Sequence, residues 1–118
     1  MALQITPEQF AVLQEQERER FVKRAADHLR ARFPDTAGKA EGRQLEVGIR
    51  AGIQRAARYG FATEREIVDW LSLMFRLGPR FDEDKRHADL QVPLRGMPGT
   101  PSAVRMAFLM NAAAERAS

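Results

Sequence analysis

The sequence predicts an all-α protein: one domain over residues 1–118, with four main helices packed as a compact bundle around a central hydrophobic helix. Three observations lead there. Apolar residues recur at the helical period, no stretch alternates in the manner of a half-buried strand, and paired start and stop signals punctuate the chain. The starts are Thr6-Pro7 and Thr100-Pro101, and the stops are Phe33-Pro34, Tyr59-Gly60 and Gly78-Pro79.

Helix one is predicted over about 7–33. Thr6 is a good N-cap, Pro7 sits where a missing amide costs nothing, Gln9 completes a capping box, and Ile5 with Phe10 makes a hydrophobic staple. Phe10, Leu13, Phe21, Ala25 and Leu29 form one stripe, widened by Val22 and Phe33. The polar middle, "QEQERER", puts Gln14 and Glu17 on that stripe, so this part is expected to project into water. His28, at the edge of the stripe, is expected to be a packed or half-buried structural histidine.

Helix two is predicted over about 42–59, after the loop "PDTAGKAEGRQ". Leu45, Ile49, Ile53, Ala56 and Tyr59 form its core stripe. Gly48 and Gly52 lie on the flank. Each costs the helix about 1 kcal/mol relative to alanine, so the strip Gly48-x-x-x-Gly52-x-x-x-Ala56 is expected to seat a neighbouring helix.

The stretch "RYGFATEREIVDWL" joins a stop to a start. Gly60 closes helix two, and Thr63 with Glu66 forms a reciprocal capping box for helix three, predicted over 64–77. Its apolar residues cover most of the circumference, so it takes the centre of the bundle with Trp70, Leu71, Met74 and Phe75 buried. Residues 80–99 read as loop, with a short helical turn in "RHADLQVPL" before Pro93. Helix four follows over about 101–115.

Composition narrows the function. With 44% hydrophobic and 30% charged residues the chain has the balance of a folded protein. It lacks cysteine, which excludes disulfides and thiolate metal sites. No apolar run approaches the ~20 residues that span a bilayer, and "MALQITPEQF" does not read as a signal peptide, so a cytoplasmic protein without membrane contact is expected. The formal net charge of +3 comes from 19 basic and 16 acidic residues and does not decide the partner.

The turn before helix three invites comparison with DNA-binding helix-turn-helix proteins. A reading helix needs exposed Arg, Asn, Gln or Ser near its start, whereas this one offers Glu64, Glu66 and Asp69, which repel phosphates. A weak basic face on helix two, Arg43, Arg50 and Arg58, could meet phosphates or an acidic protein. Asp82, Glu83, Asp84 and His87 cluster in "FDEDKRH", but an EF-hand loop would need an oxygen ligand at Arg86 and a glycine at His87. No nucleophile elbow, phosphate-binding loop or zinc signature occurs. The reading is therefore a non-enzyme with no cofactor or metal. Its partner is expected to be another protein or a second copy, on helix four: Val104, Ala107, Phe108 and Ala112 dock that helix, and Met106, Leu109, Met110 and Ala113 remain for the partner, while an equal alternative inserts the whole helix into the core.

The run "HLRARFP" followed by "GIRAGIQRAARYGFATEREIVDWLSLMFRLGPRFD" resembles a group of small helical proteins of proteobacteria, many encoded beside type VI secretion spike and toxin genes. The likeness covers residues 28–82, and "KRHADLQVPLRGMPGTPSAVRM" departs from it. It implies an adaptor, chaperone or immunity-like role and carries no catalytic residue across, since its shared motifs cap helices. The alternatives are a small DNA-binding regulator and, third, an enzyme using the Asp82 to His87 cluster.

Overall fold

The structure, a computed structural model, describes residues 7–116, with side chains from 14 to 115. The expected Thr6 cap lies outside the described residues, and so do the side chains of Ile5, Gln9, Phe10 and Leu13 on which the staple, the capping box and the start of the stripe rest. All regular structure among the described residues is helical. Helix α1 spans Pro7–Arg32, α2 Gly42–Ala57, α3 Glu64–Leu77, α4 Gln91–Arg95 and α5 Ser102–Arg116. Short 3-10 turns at Ala37–Lys39 and Lys85–Leu90 precede α2 and α4.

Two hydrophobic clusters hold these helices. In the first, Phe21, Val22, Ala25 and Leu29 of α1 meet Leu45 and Ile49 of α2 and Ile67 and Leu71 of α3. In the second, Trp70 and Leu73 of α3 meet Phe61, Phe81, Leu90, Leu94 and, from α5, Met106, Leu109 and Ala113. Helix α3 therefore serves both clusters. At about 100° per residue, Ile67 and Leu71 form one stripe, Trp70 and Leu73 the adjacent one, and Met74 falls between them and packs against both. Trp70 and Leu71 are buried as expected, whereas Met74 and Phe75 are only half-buried, because the bundle is open at the α2–α3 groove described below.

The molecule is flat, with extents of 55 × 39 × 19 Å and a radius of gyration of 16.0 Å. A rounder chain of this length would have a radius of gyration of about 13–14 Å. The excess comes from α1: 26 residues at about 1.5 Å each run roughly 39 Å, and residues 14–20 are exposed throughout. There Arg20 pairs with Glu17, and Arg50 of α2 reaches Glu15 and Glu19. The polar middle of α1 is a solvated stretch.

Three details differ from the sequence expectation. Helix α2 stops at Ala57, because the chain closes it there: Phe61 N–H donates to Ala56 O (3.1 Å) and Gly60 N–H to Ala57 O (3.1 Å), with Gly60 at φ +84°. This is the paired C-terminal closure in which glycine takes the left-handed conformation, and Phe61 packs in the same cluster as Ala56. Pro93 lies inside α4, in a first turn whose amides have no helical acceptor to lose. His28 is exposed, since α1 turns its buried stripe one residue away toward Leu29.

Candidate functional site

Helix α5 is held in a fixed rotation by two polar anchors. At its start, Ser102 hydrogen-bonds the Glu66 carboxylate, which also accepts the amides of Ala62 and Thr63 at 3.2 Å each. Thr63 Oγ1 accepts from Glu66 N–H, completing the predicted capping box. Burial pushes the Glu66 pKa up, but the bonds from Ser102 and from the backbone outweigh it and hold the pKa below its ordinary value. One turn on, Arg105 Nη1 donates to Leu94 O (3.0 Å) and Nη2 donates to Tyr59 O, with the guanidinium 4.8 Å from the centre of the Phe61 ring. Arg105 satisfies carbonyls where the α2–α3 turn meets α4, which leaves α5 little freedom to roll.

That rotation reverses the expected faces of α5. Met106, Leu109 and Ala113 are 3%, 0% and 0% exposed, packed in the second cluster, and Met110 is half-buried against it. The four residues assigned to a partner are thus the docking stripe. Val104 and Phe108, assigned to the core, are 44% and 51% exposed, beside exposed Ala103 and Ala107. Both faces are apolar at helical spacing, so periodicity could not rank them. The choice was made by Arg105, which lies between them and must reach the carbonyls of Tyr59 and Leu94.

Beside this face runs a groove of about 510 Å³ between α3 and α5, lined by Arg65, Asp69, Ala103, Met106, Ala107 and Met110, among others. Asp69 also faces the opposite side of α3, a recess shared with His28 and Arg24 of α1. Burial raises the Asp69 pKa against the opposing charges of Arg65, Arg32 and His28. The surface thus has an apolar ridge, Val104 and Phe108, next to a charged trough.

The acids of "FDEDKRH" do not converge. Asp82 is fully buried, with Oδ1 accepting from Arg55 Nε and Oδ2 from the Tyr59 hydroxyl, both at 2.7 Å. Gln91 Nε2 donates to Asp82 O (2.6 Å), so this residue ties α2, the loop and α4 together. Arg55 Nη2 lies 2.9 Å from Glu83 as an ion pair without hydrogen-bond alignment. The Arg55 pKa is raised, chiefly by the bond to Asp82. Asp84 turns away to cap the 3-10 turn and pair with Arg86, whose guanidinium and amide hold its carboxyl down at about 2. The His87 ring has its Nδ1 buried without a hydrogen bond. Among the described residues, no group of three or more His, Cys, Asp or Glu is placed to hold a metal ion.

The three arginines of the basic face do not act together. Arg50 is occupied by Glu15 and Glu19, Arg43 is exposed at the start of α2, and Arg58 lines a groove with Tyr59 and Arg95 at the other end. At the start of α3 the exposed Arg65 stands among acids: Glu64 pairs with Arg24 at 2.9 Å, Glu66 is buried in its cap, and Asp69 lies one turn on.

The glycine strip divides in the same way. A Cβ on Gly52 would lie 2.6 Å from Leu71 Cδ2 and 3.0 Å from Met74 Sδ, so α3 does approach closely there. A Cβ on Gly48 would meet nothing within 4 Å. Gly48 instead opens into an apolar groove of about 420 Å³ lined by Leu45, Ile49, Leu71, Met74 and Phe75. Sequence reasoning missed Arg55 and Arg105 altogether. The available signal was an arginine at the edge of each helix's buried stripe, from where a long side chain can reach an acceptor in the interior.

No helix among the described residues is long and apolar enough to cross a membrane. Compared with known protein families, curated proteins and solved structures, the chain matches none.

Proposed function

We propose that the protein is a non-enzymatic binding accessory, acting in the cytoplasm as an adaptor, chaperone or immunity-like partner of a type VI secretion spike or toxin component. The observation that carries the binding role is the outer face of α5, where Phe108 and Val104 stand about half exposed one turn apart while the opposite face is packed in the core. Large side chains at i and i+4 beside the small Ala103 and Ala107 present a ridge that the apolar face of a partner helix can straddle. Exposed apolar surface of this kind marks interaction sites. The secretion context rests on the resemblance over residues 28–82, which ends before α5. That division suits a shared helical frame carrying a partner-specific surface.

The alternative, a small DNA-binding regulator, has less support, because the acids at the start of α3 would face the phosphates and Arg50 is already paired. The test is co-expression with a type VI spike or toxin protein, followed by size-exclusion chromatography. The reading expects a stable complex that elutes ahead of either protein. Separate elution at tens of micromolar would refute it, and a homodimer of the chain alone would assign the face to a second copy.

A further inference from the structure

We propose that the groove between the end of α2 and α4 binds acidic side chains of a peptide segment, with Arg58 and Arg95 as the carboxylate ligands. The groove, of about 440 Å³, is lined by Arg58, Tyr59, Glu83, Leu94 and Arg95. Counting these residues with their hydrogen-bond and ion-pair partners brings in Arg55, Arg80, Arg105 and Asp82. Five guanidiniums then stand with two carboxylates, a local excess of positive charge.

The two carboxylates there are already engaged. Asp82 is taken by Arg55 and Tyr59, and Glu83 by Arg55 and Arg80. Arg105 is held by backbone carbonyls. The exposed guanidiniums left at the groove are Arg58, whose side chain makes no hydrogen bond or ion pair among the described residues, and Arg95. Arg95 is pre-positioned: Nη2 donates to the Tyr59 hydroxyl (3.0 Å), and the guanidinium lies 5.4 Å from the centre of the Tyr59 ring. That ring is itself stacked on Trp70 at 5.4 Å, so the arginine rests on a rigid platform. A fork fixed in this way loses little freedom when it takes a carboxylate through two parallel bonds.

The walls favour a peptide over nucleic acid. Leu94 and the half-buried Tyr59 ring offer apolar contact to the side-chain methylenes of glutamate, which phosphates lack. The surface is separate from the Val104–Phe108 face, so the two can fail independently.

The experiment uses fluorescence anisotropy of a labelled tetraglutamate peptide with an amidated C-terminus, measured at low salt. The wild-type protein is expected to bind saturably, and Arg58→Glu to weaken binding by about tenfold or more with an unchanged melting temperature. Arg43→Glu, the same charge change at the far end of α2, is expected to leave binding within about twofold. Arg95→Lys keeps the charge but removes the fork, and is expected to weaken binding while the protein stays folded. Phe108→Glu is expected to leave peptide binding intact, which separates this site from the α5 reading. Absence of saturable binding would overturn the proposal. So would equal losses in Arg43→Glu and Arg58→Glu, which would make the attraction one of bulk charge. Tighter binding of a labelled single-stranded oligonucleotide that displaces the peptide would assign the groove to nucleic acid instead.

Discussion

Two alanine substitutions one turn apart on α2, Gly48→Ala and Gly52→Ala, are expected to differ in stability by about 1–3 kcal/mol. Both remove a helical glycine, and each gains about 1 kcal/mol of helix propensity, so that gain cancels in the comparison. What remains is packing. At Gly48 the added methyl enters the open α2–α3 groove with nothing within 4 Å, and the full gain is kept. At Gly52 it lands 2.6 Å from Leu71 Cδ2 and 3.0 Å from Met74 Sδ. Met74 is half-buried and can swing aside, but Leu71 is buried in the first cluster and moves only by displacing its neighbours. Overpacking of this kind costs roughly 1–3 kcal/mol. Gly48→Ala should therefore be more stable than wild type, while Gly52→Ala should be level with it or up to about 2 kcal/mol less stable. Urea unfolding followed by circular dichroism reads both values, and an unchanged slope would keep the comparison within one folded state. Equal stabilities, or a more stable Gly52→Ala, would refute the close approach of α3 at that glycine.

Trp70→Ala, which empties the contact of α3 with Tyr59, Phe61 and Phe81, is expected to cost about 3–5 kcal/mol in the same assay. An unchanged melting temperature would remove α3 from between the clusters. Asp82→Asn leaves Arg55 without its buried carboxylate and is expected to cost about 3–5 kcal/mol, whereas Asp84→Asn, on the exposed 3-10 cap, should cost far less. Similar losses would contradict the distinction drawn between those two acids. The folded Glu66 pKa lies below its ordinary value of 4.5, so its contribution is present above that pH and is lost as pH falls through the folded value. Glu66→Gln should therefore be less stable than wild type at pH 7, with the gap closing below pH 4.5, and a pH-independent gap would contradict the assignment. Asp69 has the opposite sign: its pKa is raised by burial, stability falls as pH rises through it, and Asp69→Asn should be at least as stable as wild type at pH 7.

How far the sequence could be read depended on whether a residue's role was set locally. The Thr63–Glu66 box and the Gly60 closure follow from neighbours three to five residues apart, and both stand where the sequence puts them. The start of α3 at Glu64 and its end at Leu77 agree for the same reason. Gly48 and Gly52 were indistinguishable in sequence, because only the path of α3 across α2 decides which one is covered. The α5 faces failed similarly: two apolar stripes of equal quality were ranked without knowing that Arg105 must reach the carbonyls of Tyr59 and Leu94, 46 and 11 residues away. Asp82 looked like one of four clustered acids, and its burial is decided by Arg55 and Tyr59 on a different helix.

The most direct test of the account is the double variant Val104→Glu/Phe108→Glu, measured for melting temperature and, under the function proposed above, for association with a co-expressed type VI spike or toxin component. Both positions are exposed, so the melting temperature should move by no more than a degree or two, as for surface substitutions worth within about 0.5 kcal/mol. Association should be lost. Met106→Glu, which places a charge in the second cluster, should instead unfold or strongly destabilise the protein. An intact complex in the double variant, or a double variant that unfolds while Met106→Glu stays stable, would contradict the placement of the binding face on the outside of α5.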